Sequence, residues 1–258
     1  MVKPKKEFGQ HFLKSGGVVE KIVEVAQITP QDEVIEIGPG TGALTETILK
    51  KGSPKKLIAL EVDKTLIPLL REKFKDFPNL EILNADATEV DFCKLADRPI
   101  LLGNLPYNVG SLIVLNTVRA KDCIKRAVYM LQKEVAEKLT LKSKKPSWLS
   151  IFVNTFFDTE YIMSVPARFF YPPPKVTSAV IKMTPKREQP DFDLEDYKSF
   201  LEKVFSERRK MLKKKLPLEV LNKANIDPNQ RVEQLKLEDF IRLYKVYKDQ
   251  KGEINANI

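Results

Sequence analysis

The chain has 258 residues, of which 43% are hydrophobic and 31% charged, with a net charge of +9 at pH 7; this excludes a disordered chain and leaves room for one large domain, or one domain and a small one. The positive charge favours polyanionic partners such as RNA, DNA or an acidic membrane surface, without choosing among them. The start, "MVKPKKEFGQHFL", lacks an apolar signal-peptide core; no stretch is long and apolar enough to span a bilayer; and a single histidine, His11, excludes a multi-histidine metal site.

In chain order, "SGGVVEKIVEVAQI" places Val19, Ile22, Val23 and Ala26 at helical spacing. "EVIEIGPGTGALTETILKKG" reads as a strand, a glycine-rich turn and a helix. "KLIALEVD" is a second buried strand, followed by a helical stretch to Phe77. "LEILNADA" is a third strand, "ILLGNLPY" a fourth, and "AVYMLQKEVAEKL" a fifth that runs into a helix. Strand and helix alternate from residue 33 to about 142, as in an α/β domain with a parallel sheet. "SIFVNTFF" and "KVTSAVIKM" alternate in strand fashion and are expected to complete the sheet, at least one of them antiparallel. "PKREQPDFD", from residue 185, reads as a linker. Beyond it Tyr197, Phe200, Leu201 and Val204 recur at helical spacing, as do Leu237, Phe240, Ile241 and Tyr244. The division expected is a domain over 1–185 and a small all-helical domain over 186–258. Cys93 and Cys123 lack zinc-type spacing and read as two thiols suited to a reducing cytosol. The abundance of Lys and Glu hints at a heat-adapted source.

Three strand ends carry candidate ligand groups. Gly38, Gly40 and Gly42 allow a tight turn and close approach of a ligand to the backbone. A close-packed turn without ligand fits them too. Their spacing departs from the dinucleotide fingerprint G-x-G-x-x-G. Glu61 ends the second strand, where an acid can accept both ribose hydroxyls of a nucleoside cofactor. Asp86 closes the third, where a carboxylate can accept from an adenine amine. Each acid alone also reads as a solvated loop charge. Together they fall where open α/β sheets bind ligands.

"NLPYN", 104–108, ends the fourth strand and faces the same crevice. The Asn104 side-chain oxygen can accept a hydrogen bond. Pro106 biases Leu105 towards an extended conformation that can aim its carbonyl outward. Tyr107 offers a flat apolar face. Two acceptors and a stacking surface suit a planar base with an exocyclic amine. Out of context, a capped helix entry with Tyr107 in the core is the favoured reading. The run "ERRKMLKKKL", 207–216, placed on a helix, puts Met211, Leu212 and Leu216 on one side and its basic residues on the other. It reads either as a solvated face or as a phosphate contact through Arg208, Arg209, Lys213 and Lys214.

These segments resemble the KsgA-type ribosomal RNA adenine dimethyltransferases. The matching strings are "GQHFL" at 9–13, "EIGPGTGALT" at 36–45, "EVD" at 61–63, "NADAT" at 84–88, "NLPYN" at 104–108, "MLQKEVAEKL" at 130–139 and "FFYPPPKVTSAV" at 169–180. The last two are the most specific. The resemblance implies a Rossmann-like class I methyltransferase sheet with helices on both faces, a helical C-terminal domain, and S-adenosylmethionine as cofactor. It implies a cofactor site lined by His11, Leu13, Gly38, Glu61, Asp86 and Asn104. It implies a catalytic loop of Asn104, Leu105, Pro106 and Tyr107, with Tyr107 and Phe170 as aromatic faces around the adenine. The family often has Asn at position 11, so a backbone contact is expected there. Where the family often shows Tyr-Gly before Leu-Ser, this chain has "PSWLS".

The function so implied is dimethylation of the N6 amines of two adjacent adenosines, in a hairpin loop near the 3′ end of small-subunit ribosomal RNA. A cytoplasmic monomer acting on RNA or a pre-30S-type particle, without metal or membrane, is expected. Three rivals remain at this stage. They are a large-subunit rRNA dimethyltransferase of the antibiotic-resistance type, a non-catalytic RNA-binding assembly factor, and a nicotinamide dehydrogenase. The intact glycine turn, Glu61, Asp86 and NLPY argue against lost catalysis. The missing dinucleotide fingerprint argues against the dehydrogenase.

Overall fold

The computed structural model describes residues 2–256. Strand β1 (Phe12–Leu13) precedes helix α1 (Gly16–Ala26), whose first turn is capped by the Ser15 hydroxyl accepting from the Val18 N–H. Strands and helices then alternate: β2 (Glu33–Ile37), α2 (Ala43–Thr47), β3 (Lys56–Glu61), α3 (Ile67–Lys73), β4 (Leu80–Asn84) and α4 (Phe92–Leu95). The series continues with β5 (Ile100–Asn104), α5 (Gly110–Arg119), β6 (Arg126–Gln132) and α6 (Lys133–Leu139). After α7 (Trp148–Phe156) come β7 (Phe157–Val165), β8 (Phe170–Tyr171) and β9 (Ser178–Pro185), then α8 (Leu194–Phe205), α9 (Leu218–Lys223) and α10 (Leu237–Ala256).

Seven strands form one sheet in the order β4-β3-β2-β5-β6-β9-β7, and β1 pairs with β8 in a second, two-stranded sheet. From β4 to β6 all neighbours are parallel, and β9 runs antiparallel to both β6 and β7. This is the Rossmann-like class I methyltransferase fold. The central strands are apolar almost throughout because helices cover both faces: Ile100, Leu101 and Leu102 of β5 are fully buried. The chain builds outward from β2 to β4, then returns to place β5 on the other side of β2. A crevice therefore opens beyond the carboxyl ends of β2 and β5, the place where such sheets bind ligands.

Two compact units divide the chain, residues 2–140 with 157–186 and residues 141–156 with 187–256. The second unit thus includes α7 from the middle of the sequence. Within it, Phe152 and Phe156 each lie 6.0 Å from the buried ring of Tyr197, whose hydroxyl meets that of Thr155 at 2.9 Å.

Three expectations are corrected here. "SIFVNTFF" is helix α7 as far as Phe156, and the strand begins only at its last residue, running over Phe157–Val165. Leu149 to Phe156 are all buried, so the helix's polar residues Ser150, Asn154 and Thr155 mark no solvent face. Its start is marked by Ser147 and Ser150, each side chain accepting from the other's backbone N–H at 3.1 and 2.8 Å. The basic run is not a helix. Helix α8 stops at Phe205, Glu207 takes a φ of 49°, and only a short 3-10 turn, Leu212–Lys214, follows. Leu212 and Leu216 are buried while Met211 is exposed and bridges to Arg231. Lastly, Cys93 and Cys123 are not free thiols but a disulfide with Cα atoms 5.7 Å apart. It joins α4 to the turn after α5, a proximity created by the fold between residues 30 positions apart.

Candidate active site

The crevice holds a cavity built from five segments. Residues 7–13 form one wall, the turn after β2 a second, the ends of β3 and β4 a third and fourth, and the loop 104–109 after β5 the last. Gly38 sits at φ +66°, where a side chain would be strained, and a Cβ there would meet only the Asn104 carbonyl, at 3.8 Å. The turn thus bends sharply and stays open to the cavity. At the start of α2, Gly42 has φ +91°, and a Cβ would strike Phe74 at 2.6 Å. That glycine is required by packing.

Glu61, at the end of β3, is buried on the cavity wall. Its Oε2 accepts from the Gly40 N–H at 3.2 Å and its Oε1 from the Asp63 N–H at 2.9 Å. Burial raises the pKa of the carboxyl, opposed by those backbone hydrogen bonds. Glu36, on β2, is fully buried; burial pushes it up to about 8, against the Thr45 hydroxyl that donates to its Oε2 at 2.7 Å. Asp86 caps its own turn, its Oδ1 accepting from the Thr88 N–H at 2.8 Å. That turn is held from α5 by Asn116, whose Nδ2 donates to the Ala87 and Val90 carbonyls at 2.8 Å each.

The wall 7–13 is fastened at several points. Lys5 Nζ and Gln10 Nε2 donate to the two oxygens of Asp63, each at 2.9 Å. Burial would raise the Asp63 carboxyl, but the hydrogen bonds from Lys5, Thr65 and Gln10 prevail and hold it down to about 2. Phe12 and Leu13 pair with Tyr171 and Phe170. His11 bonds through Nδ1 to the Pro172 carbonyl at 2.8 Å. A carbonyl only accepts, so Nδ1 carries the proton.

In the loop 104–109, Asn104 Nδ2 donates to the His11 carbonyl at 3.0 Å. This fixes the amide with its Oδ1 as the remaining acceptor. The Leu105 N–H donates to the Met130 carbonyl at 3.0 Å, which seats the loop on β6. Tyr107 is held at both ends. Its hydroxyl bonds to that of buried Ser178 at the start of β9, and the His11 ring stacks on it at 5.3 Å and 28°. Burial raises the phenol pKa, against the Ser178 hydrogen bond.

His11, Leu13, Gly38, Glu61, Asp86, Asn104, Leu105, Pro106 and Tyr107 therefore line one cavity. Phe170 lies outside that lining, 3% exposed and packed in the core with Leu13 and Val180. Arg208, Arg209, Lys213 and Lys214 belong to the second unit. There Arg208 approaches Glu233 at 3.7 Å and Lys213 donates to Asn229 Oδ1 at 2.8 Å. Glu36, Asp63 and Ser178 were not singled out from sequence. Each stands inside a recognised string, "EIGPG", "EVD" or "KVTSAV", which was the available signal.

A nucleoside cofactor fits this donor set. The open glycine turn lets a ligand approach the backbone closely, a buried carboxylate ends β3, a second acid follows β4, and the walls between are largely apolar. Among the described residues, no group of three or more His, Cys, Asp or Glu could hold a metal ion, and no helix is long and apolar enough to cross a membrane.

Comparison with known proteins agrees with this geometry. The family described as "Ribosomal RNA adenine dimethylase" matches residues 1–249. The Ribosomal RNA small subunit methyltransferase A of Persephonella marina is 52% identical over 247 residues, covering 94% of this chain and 93% of the relative. The structure of a dimethyladenosine transferase from Plasmodium falciparum superposes with a TM-score of 0.82 at 28% identity, covering 93% of this chain and 98% of that one. The 23S rRNA methyltransferase ErmE superposes with a TM-score of 0.74 at 28% identity, covering 91% and 98%. With the family matched over nearly the whole length and the cavity built from its motifs, the chain belongs to the ribosomal RNA adenine dimethylases.

Proposed function

We propose that this protein uses S-adenosylmethionine to dimethylate the N6 amines of two adjacent adenosines in a hairpin loop near the 3′ end of small-subunit ribosomal RNA. The orientation of Asn104 carries this reading. With Nδ2 committed to the His11 carbonyl, Oδ1 is left to accept from an amine. The Leu105 carbonyl, in the same loop, is the second acceptor. An adenine amine is a poor nucleophile because its lone pair is delocalised into the ring. Two acceptors on its protons favour a pyramidal nitrogen and oppose the positive charge that builds in the transition state. Tyr107, braced by Ser178 and His11, holds the base in place, and positioning supplies much of the remaining acceleration. Phe170 is the second aromatic face in this reading, reached once the base enters beside β8. Bound against Glu61 and Asp86, S-adenosylmethionine supplies the electrophilic methyl group. No side chain is assigned as a strong base, because the methylated nitrogen sheds its proton readily.

The domain expected over 1–185, less the segment 141–156 that belongs to the second unit, is the catalytic part of this reading. The helical part, 186–258, contributes RNA contacts through Arg208, Arg209, Lys213 and Lys214; its last two residues lie outside the described ones. The protein acts as a monomer on a pre-30S-type particle in the cytoplasm. Intracellular proteins of heat-adapted organisms carry disulfides such as Cys93–Cys123.

Mass spectrometry of isolated small- and large-subunit RNA, and of pre-subunits, after incubation with protein and cofactor tests this. Two neighbouring dimethyladenosines in the small-subunit RNA are expected. Modification confined to large-subunit RNA would assign the antibiotic-resistance type instead. Unmodified RNA in every sample would leave a binding protein.

A further inference from the structure

We infer that Tyr171 and Lys14 form a second nucleotide-binding site at the rim of the cavity, which stacks the base adjoining the target adenosine and engages its phosphate. The inference deepens the function proposed above and rests on it. Successive side chains of a strand point to opposite faces. In β8 this sends Phe170 inward, at 3% exposure, and Tyr171 outward, at 40%. Tyr171 pairs with Phe12, a cavity residue, and directly opposed residues of an antiparallel pair share a face, so its ring stands beside Phe12 at the edge of the cavity.

The platform is rigid. The Lys14 N–H donates to the Phe169 carbonyl at 2.8 Å, and His11 donates to that of Pro172, so the backbone is pinned on both sides of Tyr171. A preordered ring loses little entropy when it binds. Exposed aromatic faces stack bases whatever their identity. Lys14 Nζ lies over one face of the ring, 4.5 Å from its centroid, so a base stacks on the opposite face with a cation within reach of its phosphate. The same His11 that pins Pro172 stacks on Tyr107. Base-holding loop and rim platform are thus joined through one side chain, and a strand that delivers one base to Tyr107 passes Tyr171 with the next.

The test measures binding of a hairpin RNA with two adjacent adenosines in its loop, by anisotropy, at saturating S-adenosylmethionine. The RNA is used intact, or with an abasic ribose immediately 5′ or 3′ of the target adenosine. For wild-type protein, one of the two abasic RNAs should bind roughly five- to a hundredfold more weakly. Tyr171→Ala should lose a similar factor on intact RNA and no longer distinguish that abasic RNA. Tyr171→Phe should behave as wild type, and the cofactor affinity and Tm of both variants should be unchanged. Equal affinity of wild type and Tyr171→Ala for intact RNA overturns the inference. So does a Tyr171→Ala protein that still pays the full abasic penalty, or a wild type indifferent to both abasic positions. Methylation of the intact hairpin by wild type is scored in parallel. Its absence overturns the proposed function and the inference together, whereas methylation with an indifferent Tyr171→Ala overturns the inference alone.

Discussion

Asn104 and Glu36 show how single side chains set the behaviour of the site. Asn104, on the cavity wall, commits its Nδ2 to the His11 carbonyl, which leaves Oδ1 as the acceptor of the amide. In Asn104→Ala the single-turnover methylation rate at saturating cofactor should fall about 10²–10³-fold. RNA affinity should change little, since phosphate contacts dominate it. A fully active but destabilised variant would reduce Asn104 to a structural loop residue. Glu36 makes a prediction of a different kind. Burial lifts its carboxyl from the ordinary 4.5 to about 8. Between those values the folded protein holds a proton that the unfolded chain has released. The group's contribution to stability is therefore greatest below that window and is lost as pH rises through it. Glu36→Gln stays neutral at every pH. The Tm difference, variant minus wild type, should increase from about pH 5 to pH 8 and then level off; a difference flat across that range would show Glu36 to be ionised in the fold.

The elements differ in how much of them the sequence revealed, and burial explains the difference. Amphipathic helix α1 and the apolar runs of β2, β3 and β5 were legible because each has a single environment along its length. Helix α7 was not, because its polar residues Ser150, Asn154 and Thr155 are buried with the rest, and its aromatic and β-branched residues suit a strand equally well. The basic segment after α8 failed in another way. Leu212 and Leu216 are buried as a helical spacing requires, but a 3-10 turn and the Met211–Arg231 bridge place them without a helix. Its charges remain a test of RNA contact. Replacing Arg208, Arg209, Lys213 and Lys214 with Ala should flatten the salt dependence of binding by about 0.7 to 0.9 per lost phosphate contact. An unchanged slope would make the segment a solvated surface. The Cys93–Cys123 link gives an element-scale prediction on stability. It ties α4, which follows the Asp86 turn, to the end of α5, which follows the NLPYN loop. Cys93→Ser with Cys123→Ser should lower stability by about 2–4 kcal/mol, read from denaturant midpoints. Equal midpoints for wild type and variant would mean that the thiols are reduced in solution.

For the molecule as a whole, the parallel sheet and the position of its crevice followed from the alternation of strand and helix, since ligand groups at three successive strand ends can converge only there. What covers the crevice did not follow. Residues 5–14 meet partners at Asp63, Asn104, Phe169 and Pro172, far along the sequence, and no local pattern encodes such contacts. Those fastenings bear on timing. Two methyl groups on one amine require two cofactor molecules in succession, so a spent cofactor must depart between the transfers. The wall that must loosen for this is the one clasped to Asp63 by Lys5 and Gln10. Residence time in the cavity is then set by the opening of that wall as well as by contacts with Glu61. In Lys5→Ala with Gln10→Ala, stopped-flow displacement should show S-adenosylhomocysteine leaving several-fold faster. The monomethylated intermediate should also persist for a shorter time wherever release limits turnover. Unaltered release would mean that the cofactor exchanges without the clasp opening.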